Sequence, residues 1–514
     1  ANMTGPKTNR RTRVAGAAPL LMSLDPDAPV ALHRQIYDGL RSAILAGRLA
    51  GDARLPSTRV LAAELGVARN TVVLAFDQLR AEGYLAGRRG GGTRVSTNVP
   101  DSLLRVTARA RPAPAPAVTP VLSDRWTRVV AGMGDWGARG DARPVPFALG
   151  VPAIDAFPAA QWARLTARRW RSGAVSLGYA TAAGDRALRA AIASYVTAAR
   201  GAQCTPDQIL IVSGAQQALD LVARVFVDPG DAAWMEDPGY PLARAALEAA
   251  GARVTSVPVD ADGLDVAAGA RAAPDARLAY VTPSHQFPLG SVMSSSRRLA
   301  LLTWARQHGA WVVEDDYDSE FRYATRPLAC LQGLDAEWGG PSRVLYVGTF
   351  SKTLAPALRL GYLIVPDAYV DAFRSARTVA SGHSPTLDQE VLADFIGEGH
   401  YVRHVRRVRA LCADRQQALL AAAGRELDGL IDLAPDAAGL HIVGWLASGT
   451  DDARAADTAW EAGVDVSPLS RFAVGRRQRG ALILGYAAFD ERAIRSGVKR
   501  LARALSETRP LAHG

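Results

Sequence analysis

A lysine lies between two apolar runs in the stretch VLYVGTFSKTLAPALRLGYLIVP, residues 344–366. The runs at 344–347 and 361–365 are rich in valine, leucine and isoleucine and are bounded by glycine, a pattern typical of buried β-strands. The pattern therefore predicts that Lys352 lies on a loop held between two buried strands. Most lysines are solvated at the surface, but apolar flanks of this kind disfavour that alternative.

Three side chains near Lys352 suit a phosphate: the hydroxyls of Thr349 and Ser351 and the guanidinium of Arg359. An amine can form a Schiff base with an aldehyde, and hydroxyl and guanidinium groups bind phosphate oxygens. Pyridoxal 5'-phosphate carries both an aldehyde and a phosphate. We therefore predict a pyridoxal-phosphate site in which Lys352 forms the internal aldimine.

Predicted strands alternate with helical segments from residue 209 onwards. The strand-like runs lie at 209–212, 232–236, 254–258, 278–281, 311–314 and 344–347. This alternation predicts an α/β domain with a mostly parallel sheet and helices on both faces. In such a domain ligands bind at the carboxyl ends of the strands.

Polar and aromatic side chains at those predicted strand ends complete the cofactor site. Asp315 can pair with the pyridine nitrogen and keep it protonated, although a helix cap is a common alternative role for aspartate. Tyr317 can hydrogen-bond the ring hydroxyl, and Tyr240 can stack on the ring. Ala215 and Gln216 open a helix whose backbone amides can hold the phosphate.

The excess positive charge is confined to the first part of the chain. Residues 1–145 contain 21 Lys and Arg against 11 Asp and Glu, whereas the remaining residues contain 39 of each. A basic head joined to a neutral body predicts that the head contacts a polyanion.

Residues 21–96 show the pattern of a winged helix-turn-helix: a first amphipathic helix, a second capped by Ser57, a glycine turn, a third helix and a hairpin. The third helix begins with Arg69, Asn70 and Thr71, which can reach base edges and phosphates. The tip of the predicted hairpin carries Arg88 and Arg89, which suit the wing of such a domain. A small helical interaction domain is the alternative, but it does not account for the charge.

The remaining segments complete the organisation of the chain. Residues 1–20 are predicted to be a disordered basic tail, 97–144 a Pro/Ala/Arg-rich linker, and 145–511 the large body. The sequence leaves open whether the part of the linker from Trp126 to Trp136 forms a short docked helix. The three cysteines lack paired spacing, which disfavours disulfides and a metal site. No apolar run reaches membrane-spanning length, and we expect a cytoplasmic protein.

Both parts resemble known families. Residues 29–95 are similar nearly end to end to GntR-type winged-helix domains, and 145–511 resemble the fold-type I aminotransferases, whose S-K-x-x-x-P-x-x-R-x-G motif is complete at 351–361. With the stretches GAQQALDL, TPSHQFPLG and EDDYDSEFRY, the whole chain resembles the MocR subfamily of regulators. The resemblance implies a pyridoxal-phosphate-bound transcription factor that binds operator DNA and works as a head-to-tail, domain-swapped homodimer. Its effector would be an amine or amino-acid-like molecule, or pyridoxal phosphate itself.

The resemblance also implies individual contacts. The implied DNA-binding residues are Arg59, Arg69, Asn70, Thr71, Arg89 and Gly90, while Ala68 stands where the family often has a hydroxyl. The predicted cofactor contacts further include His285 and Tyr179.

Two departures separate the chain from working aminotransferases. Phe287 stands where they usually carry asparagine, and Ile483 where an arginine binds the substrate carboxylate, so Arg471 is the predicted substitute in the effector site. The alternative of a working aminotransferase with an appended domain does not explain the winged helix-turn-helix pattern in the first part of the chain. A cofactor-free body leaves Lys352 and Asp315 unexplained. We therefore predict a regulator rather than an enzyme. The sequence does not decide whether the chain keeps a residual transaminase half-reaction.

Overall fold

The computed structural model describes residues 24–88, 92–97, 122–133, 145–173, 177–323, 329–475 and 479–508. The chain divides into two compact units, Ala1–Pro120 and Val121–Gly514. The predicted basic tail, the wing tip with Arg89 and Gly90, and most of the predicted linker lie outside the described residues.

The first unit consists of three helices followed by an antiparallel hairpin: α1 Leu32–Leu45, α2 Thr58–Leu65, α3 Arg69–Ala81, β1 Leu85–Arg88 and β2 Gly92–Val95. The Ser57 side chain accepts a hydrogen bond from the Val60 amide at 3.3 Å and caps α2. Gly66 ends α2 in the left-handed conformation with φ of 68°, which permits the short turn into α3. The predicted winged helix-turn-helix is confirmed.

The second unit contains the remaining elements. Its helices are α4 Asp124–Met133, α5 Ala159–Ser172, α6 Arg186–Arg200, α7 Ala215–Phe226, α8 Pro241–Ala250, α9 Val266–Ala272, α10 Ser295–His308, α11 Leu331–Glu337, α12 Val370–Ser381, α13 Thr386–Gly397, α14 His400–Glu426, α15 Asp452–Glu461 and α16 Glu491–Thr508. Its strands are β3 Ile209–Val212, β4 Ala232–Asp237, β5 Arg253–Asp260, β6 Gly263–Leu264, β7 Leu278–Val281, β8 Trp311–Asp316, β9 Val344–Thr349, β10 Gly361–Ile364, β11 Ile431–Leu433, β12 His441–Leu446, β13 Ser467–Pro468 and β14 Ala481–Gly485.

Eight strands form the large sheet in the order β3-β10-β9-β8-β7-β4-β5-β6. Strands β9, β8, β7, β4 and β5 are parallel, whereas β10 runs antiparallel to both of its neighbours. Every residue of β3, β4 and β7 to β10 is buried. Burial on both faces explains why these strands appear as continuous apolar runs instead of alternating patterns. The predicted fold-type I α/β domain is confirmed.

A smaller antiparallel sheet, β11-β12-β14-β13, was not predicted. It packs with α14, α15 and α16 around one apolar cluster that includes Leu482, Leu484, Ile494 and Leu501. Two of its strands have only two or three residues, too short for a period to be recognised in the sequence.

Helix α4 falls within the segment that we predicted as a linker. It packs against α8, and its Val129 is buried. Across the described residues, no helix is long and apolar enough to cross a membrane.

Candidate functional site

Lys352 lies on the connection between β9 and β10, as the apolar flanks predict. The two strands are paired up to Thr349 and Gly361, so they hold both ends of this loop. The Lys352 Nζ donates a hydrogen bond to the Gly150 carbonyl at 2.6 Å. Burial lowers the pKa of Lys352, against the opposing charges of Asp318 and Asp315. A lowered pKa increases the fraction of neutral amine, the form that attacks an aldehyde.

Asp315 lies near the carboxyl end of β8 and is buried. Its Oδ2 accepts a hydrogen bond from the Tyr280 hydroxyl at 2.8 Å, while its Oδ1 is buried and has no hydrogen-bond partner among the described residues. Burial raises the pKa of Asp315 to about 7, although the Tyr280 hydrogen bond and Lys352 act in the opposite direction. A buried acceptor without a donor is costly, so this oxygen fits an N–H group such as that of a pyridine ring.

The Arg359 guanidinium lies at the N-terminus of α7. A Cβ atom added to Gly214 would come within 2.9 Å of the Arg359 Nη2, and this Nη2 donates to the Ser213 carbonyl at 2.5 Å. Gly214 has a φ of 88°, so glycine is favoured there both by conformation and by space. A guanidinium beside the N-terminal amides of a helix is suited to bind phosphate.

The neighbouring predicted phosphate contacts are partly engaged with the backbone. The Thr349 hydroxyl accepts a hydrogen bond from the Ser351 amide at 3.1 Å. Gln216 donates to the Leu242 carbonyl at 3.0 Å, and its Oε1 is buried without a partner in the described part of the chain. Ala215 is the first residue of α7.

Aromatic rings surround Phe287. Tyr240, at the start of α8, contacts it edge-on with ring centroids 5.5 Å apart, and burial raises the pKa of Tyr240. Tyr317 and Phe472 contact the same ring at 6.0 and 5.3 Å. The replacement of asparagine by Phe287 therefore makes this side of the site apolar.

His285 is buried between two carboxylates. Its Nδ1 lies 2.9 Å from an Asp318 oxygen and 3.1 Å from the Tyr317 hydroxyl, and its Nε2 lies 3.3 Å from an Asp436 oxygen. Burial lowers the pKa of His285, but the two carboxylates outweigh it and raise the pKa to about 10. His285 is therefore charged at neutral pH and orients Tyr317.

His285 also belongs to a group of side chains with potential metal ligands. Ligand atoms of His285, Asp318 and His441 lie within 4.8 Å of one another. The His441 Nε2 donates to the Pro288 carbonyl at 3.0 Å, and a charged His285 has no free lone pair for a metal. The hydrogen bonds account for this group without an ion.

The three remaining predicted residues have different surroundings. Tyr179 is fully exposed at 101%, with the His383 ring 6.1 Å away. Ile483 is buried in an apolar cluster with Phe472. Arg471 is exposed and lines a separate cavity.

The predicted DNA-binding residues of the described part lie on α2, on the first turn of α3 and at the end of β1. Arg59, Arg69 and Asn70 are exposed, and Thr71 is half-buried. The Arg69 Nε donates to the Thr58 hydroxyl at 3.4 Å, which joins the N-terminal ends of α2 and α3. Arg88 ends β1.

Sequence reasoning missed the partners that orient the site. Tyr280 lies inside an apolar strand, where its hydroxyl was a weak signal of a buried acceptor nearby. Gly150 and Asp436 carry no signal, because each is far along the chain from the residue that it contacts, 202 positions for Gly150 and 151 for Asp436.

Comparisons with known proteins agree with this architecture. Residues 32–95 match the bacterial regulatory proteins of the gntR family, and residues 147–501 match the aminotransferase class I and II family. The chain is 45% identical over 492 residues to the probable rhizopine catabolism regulatory protein MocR of Rhizobium meliloti, covering 94% of this chain and 96% of that protein. It is 30% identical over 491 residues to the HTH-type pyridoxine biosynthesis transcriptional regulator PdxR of Corynebacterium glutamicum, covering 95% and 99%.

A solved structure is similar to the larger unit. It is LysN, an alpha-aminoadipate aminotransferase from Thermus thermophilus complexed with N-(5'-phosphopyridoxyl)-L-leucine, with a TM-score of 0.68 and 31% sequence identity. The match covers 74% of this chain and 98% of that one.

Proposed function

The chain belongs to the MocR subfamily of GntR-type transcriptional regulators, and from this premise we propose how it works. The winged helix binds double-stranded operator DNA, and the aminotransferase-like unit holds pyridoxal phosphate. That unit senses an amine-bearing or amino-acid-like effector, or the cofactor itself. The two functions belong to one cytoplasmic regulator rather than to an enzyme.

The unpartnered Asp315 Oδ1 carries the cofactor part of this proposal. When bound, pyridoxal phosphate supplies an aldehyde and an electron-withdrawing ring. Asp315 would hold the ring N–H, Lys352 would bind the aldehyde carbon, and Tyr240 would lie against the ring. Thr349, Ser351, Arg359 and the amides of α7 would hold the phosphate.

The surroundings of Ile483 support an effector without a clamped carboxylate. Ile483 is fully buried among apolar side chains, so it offers no charge to a ligand. Without a guanidinium there, an α-amino acid loses a bidentate, charge-assisted contact. The apolar rings of Phe287 and Phe472 favour an amine whose remainder is not strongly charged, or sensing of the cofactor alone.

We also propose that the chain is a homodimer with a head-to-tail arrangement. Leu177 and Tyr179 are exposed at 81% and 101% in the single chain. Large side chains exposed next to each other favour a protein interface, and Tyr179 was predicted to contribute to a cofactor site.

Borohydride trapping at Lys352 tests the cofactor assignment. The chain has only three lysines, Lys7, Lys352 and Lys499, so peptide mapping distinguishes them directly. Reduction of the yellow holoprotein is expected to attach the cofactor to Lys352. Lys352→Ala should abolish labelling, whereas Lys499→Ala, on the exposed side of α16, should leave it unchanged.

The same preparations test the regulatory part. DNA fragments selected from a random library by the wild-type protein provide the operator probe, and fluorescence anisotropy measures binding with and without cofactor. A Lys352→Ala protein that still becomes labelled contradicts the cofactor assignment. Operator affinity that responds to neither cofactor nor any amine contradicts the sensing function.

A further inference from the structure

A cavity of about 450 Å³ lies between α4, α8 and the segment around Arg471. Its volume is in the range of small-molecule sites. Its walls in the described part of the chain do not include Lys352, Asp315 or Arg359, so it is separate from the proposed cofactor site.

Basic side chains dominate the lining of this cavity. Five arginines line it: Arg125, Arg128, Arg244, Arg253 and Arg471. Only two carboxylates do so among the described residues, Glu236 and Glu248. The cavity therefore has an excess of positive charge, which favours an anionic ligand.

Neither of these carboxylates pairs with an arginine of α4 among the described residues. Glu236 is turned to Thr282, accepting from its amide at 3.2 Å and its hydroxyl at 2.6 Å. Glu248 lies 3.8 Å from Arg244, which also donates to the Ser256 hydroxyl at 2.8 Å. Arg253 pairs with Asp275 at 3.2 Å, so both Arg244 and Arg253 have a carboxylate partner.

Both arginines of α4 line this cavity without a carboxylate partner in the part of the chain that the structure describes. Arg128 donates only a weak bond of 3.4 Å to the Asp124 carbonyl of its own helix. Val129, beside Arg128 on the helix, is buried and anchors α4 on α8. Helix α4 therefore packs on α8 through one buried apolar side chain, next to two guanidinium groups that no carboxylate of the described residues neutralises.

The opposite wall belongs to the connection that carries Tyr240. Gly239 and Pro241 line the cavity on either side of Tyr240, and the Gly239 amide donates to the Phe472 carbonyl at 3.0 Å. Phe472 in turn contacts Phe287 in the proposed cofactor site. A ligand here would contact both α4 and the backbone that positions the ring-stacking tyrosine.

We propose that this cavity binds a small anion, a carboxylate, sulfonate or phosphate, through Arg125, Arg128, Arg244 and Arg471, and that the anion fixes α4 on α8. Guanidinium groups bind such oxyanions by paired, charge-assisted hydrogen bonds. Helix α4 lies within the predicted linker, so an anion bound here would hold this part of the linker on α8.

The test uses the full-length protein with two probes, succinate and inorganic phosphate, at constant ionic strength. Isothermal titration is expected to show saturable binding of at least one of them. The double variant Arg125→Ala/Arg128→Ala should bind at least tenfold more weakly. The matched control Arg492→Ala/Arg503→Ala removes two exposed arginines from α16 and should bind within twofold of the wild type.

Hydrogen exchange on the same samples tests the structural consequence. The amides of residues 124–133 should become protected when the probe binds to the wild type and not in the double variant. Arg125→Lys/Arg128→Lys keeps the positive charge and should bind the probe more tightly than the alanine pair. This comparison shows whether weaker binding by the alanine pair comes from the lost charge or from altered packing of α4.

Four results would overturn the proposal: no saturable binding of either probe, equal binding by the wild type and the alanine pair, equal binding by the alanine and lysine pairs, or loss of binding in protein whose cofactor has been fixed on Lys352 by borohydride and freed of excess pyridoxal phosphate. The last would place the anion at the cofactor phosphate site. Borohydride labelling of Lys352 does not depend on these results, so failure of this site and failure of the proposed cofactor site are distinguishable.

Discussion

Three consecutive carboxylates at the end of β8 differ in their partners because strand side chains alternate between faces. Glu314 accepts hydrogen bonds from the Leu331 and Gln332 amides at 2.9 and 3.0 Å, and Asp316 pairs with Arg200 at 3.1 Å. Asp315 and Asp316 each keep a buried oxygen with no hydrogen-bond partner in the described chain, but Asp316 is paired with Arg200, whereas the charge of Asp315 interacts with that of Lys352. Burial raises the pKa of Glu314 and of Asp315 to about 7 alike, so the unsatisfied oxygen near Lys352, rather than the pKa, marks the ligand contact.

Asp315→Asn should weaken pyridoxal-phosphate binding without unfolding the protein. The amide keeps the shape and can still accept from Tyr280, but the charged acceptor for the ring N–H is lost. We expect an affinity loss of about 1.5–3 kcal/mol, typical of a hydrogen bond to a charged group. Equilibrium dialysis measures it.

Glu314→Gln serves as the control for Asp315→Asn, since this neighbour has the same pKa direction but holds the start of α11. It should lower the free energy of unfolding and leave cofactor affinity nearly unchanged. Equal losses of affinity in the two variants would contradict the assignment of Asp315.

His285→Gln should destabilise the fold in a pH-dependent way. The pKa of His285 is raised to about 10 in the folded state, so its charge stabilises the native protein fully below about pH 6.5. This contribution declines as pH rises from there and is lost through pH 10. We expect a deficit of about 3 kcal/mol at pH 6.5 that shrinks steadily towards pH 9.5, measured by urea unfolding.

His441→Gln provides the comparison for His285→Gln. Burial and the charge of His285 lower the pKa of His441 to about 3, so this ring stays neutral over the same range. Its unfolding deficit should not change between pH 6.5 and 9.5. A His285→Gln deficit that is equally constant would show that His285 is not charged.

At the scale of elements, both proposed binding surfaces use the start of a helix placed by a glycine. Gly214 precedes α7 and leaves the space that the Arg359 guanidinium occupies. Gly66 ends α2 two residues before the cap of α3 and thereby brings Thr58 to Arg69. In each case the glycine is needed for its positive φ, and the function lies in the helix that follows.

Arg69→Ala should weaken binding to selected operator DNA by about 1–3 kcal/mol if the guanidinium makes a bidentate base contact from the start of α3. Binding to random DNA should change much less. Anisotropy titrations with the two DNA classes measure the difference. The matched control is Arg34→Ala on α1, an exposed arginine paired with Asp38 at 3.2 Å.

If Arg69→Ala lowers affinity for operator and random DNA by the same factor, Arg69 contacts a phosphate and not a base. A loss as large in Arg34→Ala would show that the effect is one of general charge.

At the scale of the whole molecule, the excess positive charge and the proposed cofactor site lie in different parts of the chain. The positive excess lies in residues 1–145, and the aminotransferase-like unit follows with balanced charge. That unit contains Lys352, the carboxylate of Asp315 at the end of β8 and the predicted phosphate-binding side chains. At the position predicted for an arginine that would bind the substrate carboxylate, it has the buried Ile483. This combination supports the proposal that the molecule holds a cofactor and an amine without the contact that would orient an α-amino acid for repeated turnover.

We expect the holoprotein to show spectral changes with amines but no sustained transamination. Common amino acids with 2-oxo acids should yield at most a single equivalent of product, because the substrate is not oriented for proton abstraction. Absorption spectroscopy and product chromatography on the same sample check this. Repeated turnover at about 1 per second or faster, the range of ordinary enzymes, would contradict the sensor function.

Much of this organisation was determined by local sequence. The apolar runs of β3, β7 and β9, the Ser57 cap, and the lysine loop between two buried strands all follow from patterns within a few residues. Such patterns are local because burial on both faces and helix capping depend on near neighbours. The winged helix and the α/β body were predictable for that reason.

Tertiary structure decided which groups meet. Gly150 reaches Lys352 across 202 positions, Asp436 reaches His285 across 151, and Tyr280 meets Asp315 only because β7 and β8 are parallel neighbours. The cavity beneath α4 likewise combines arginines from four separate segments. Local sequence patterns do not predict these contacts, because the contacts depend on the order of the strands in the sheet and on the packing of the helices.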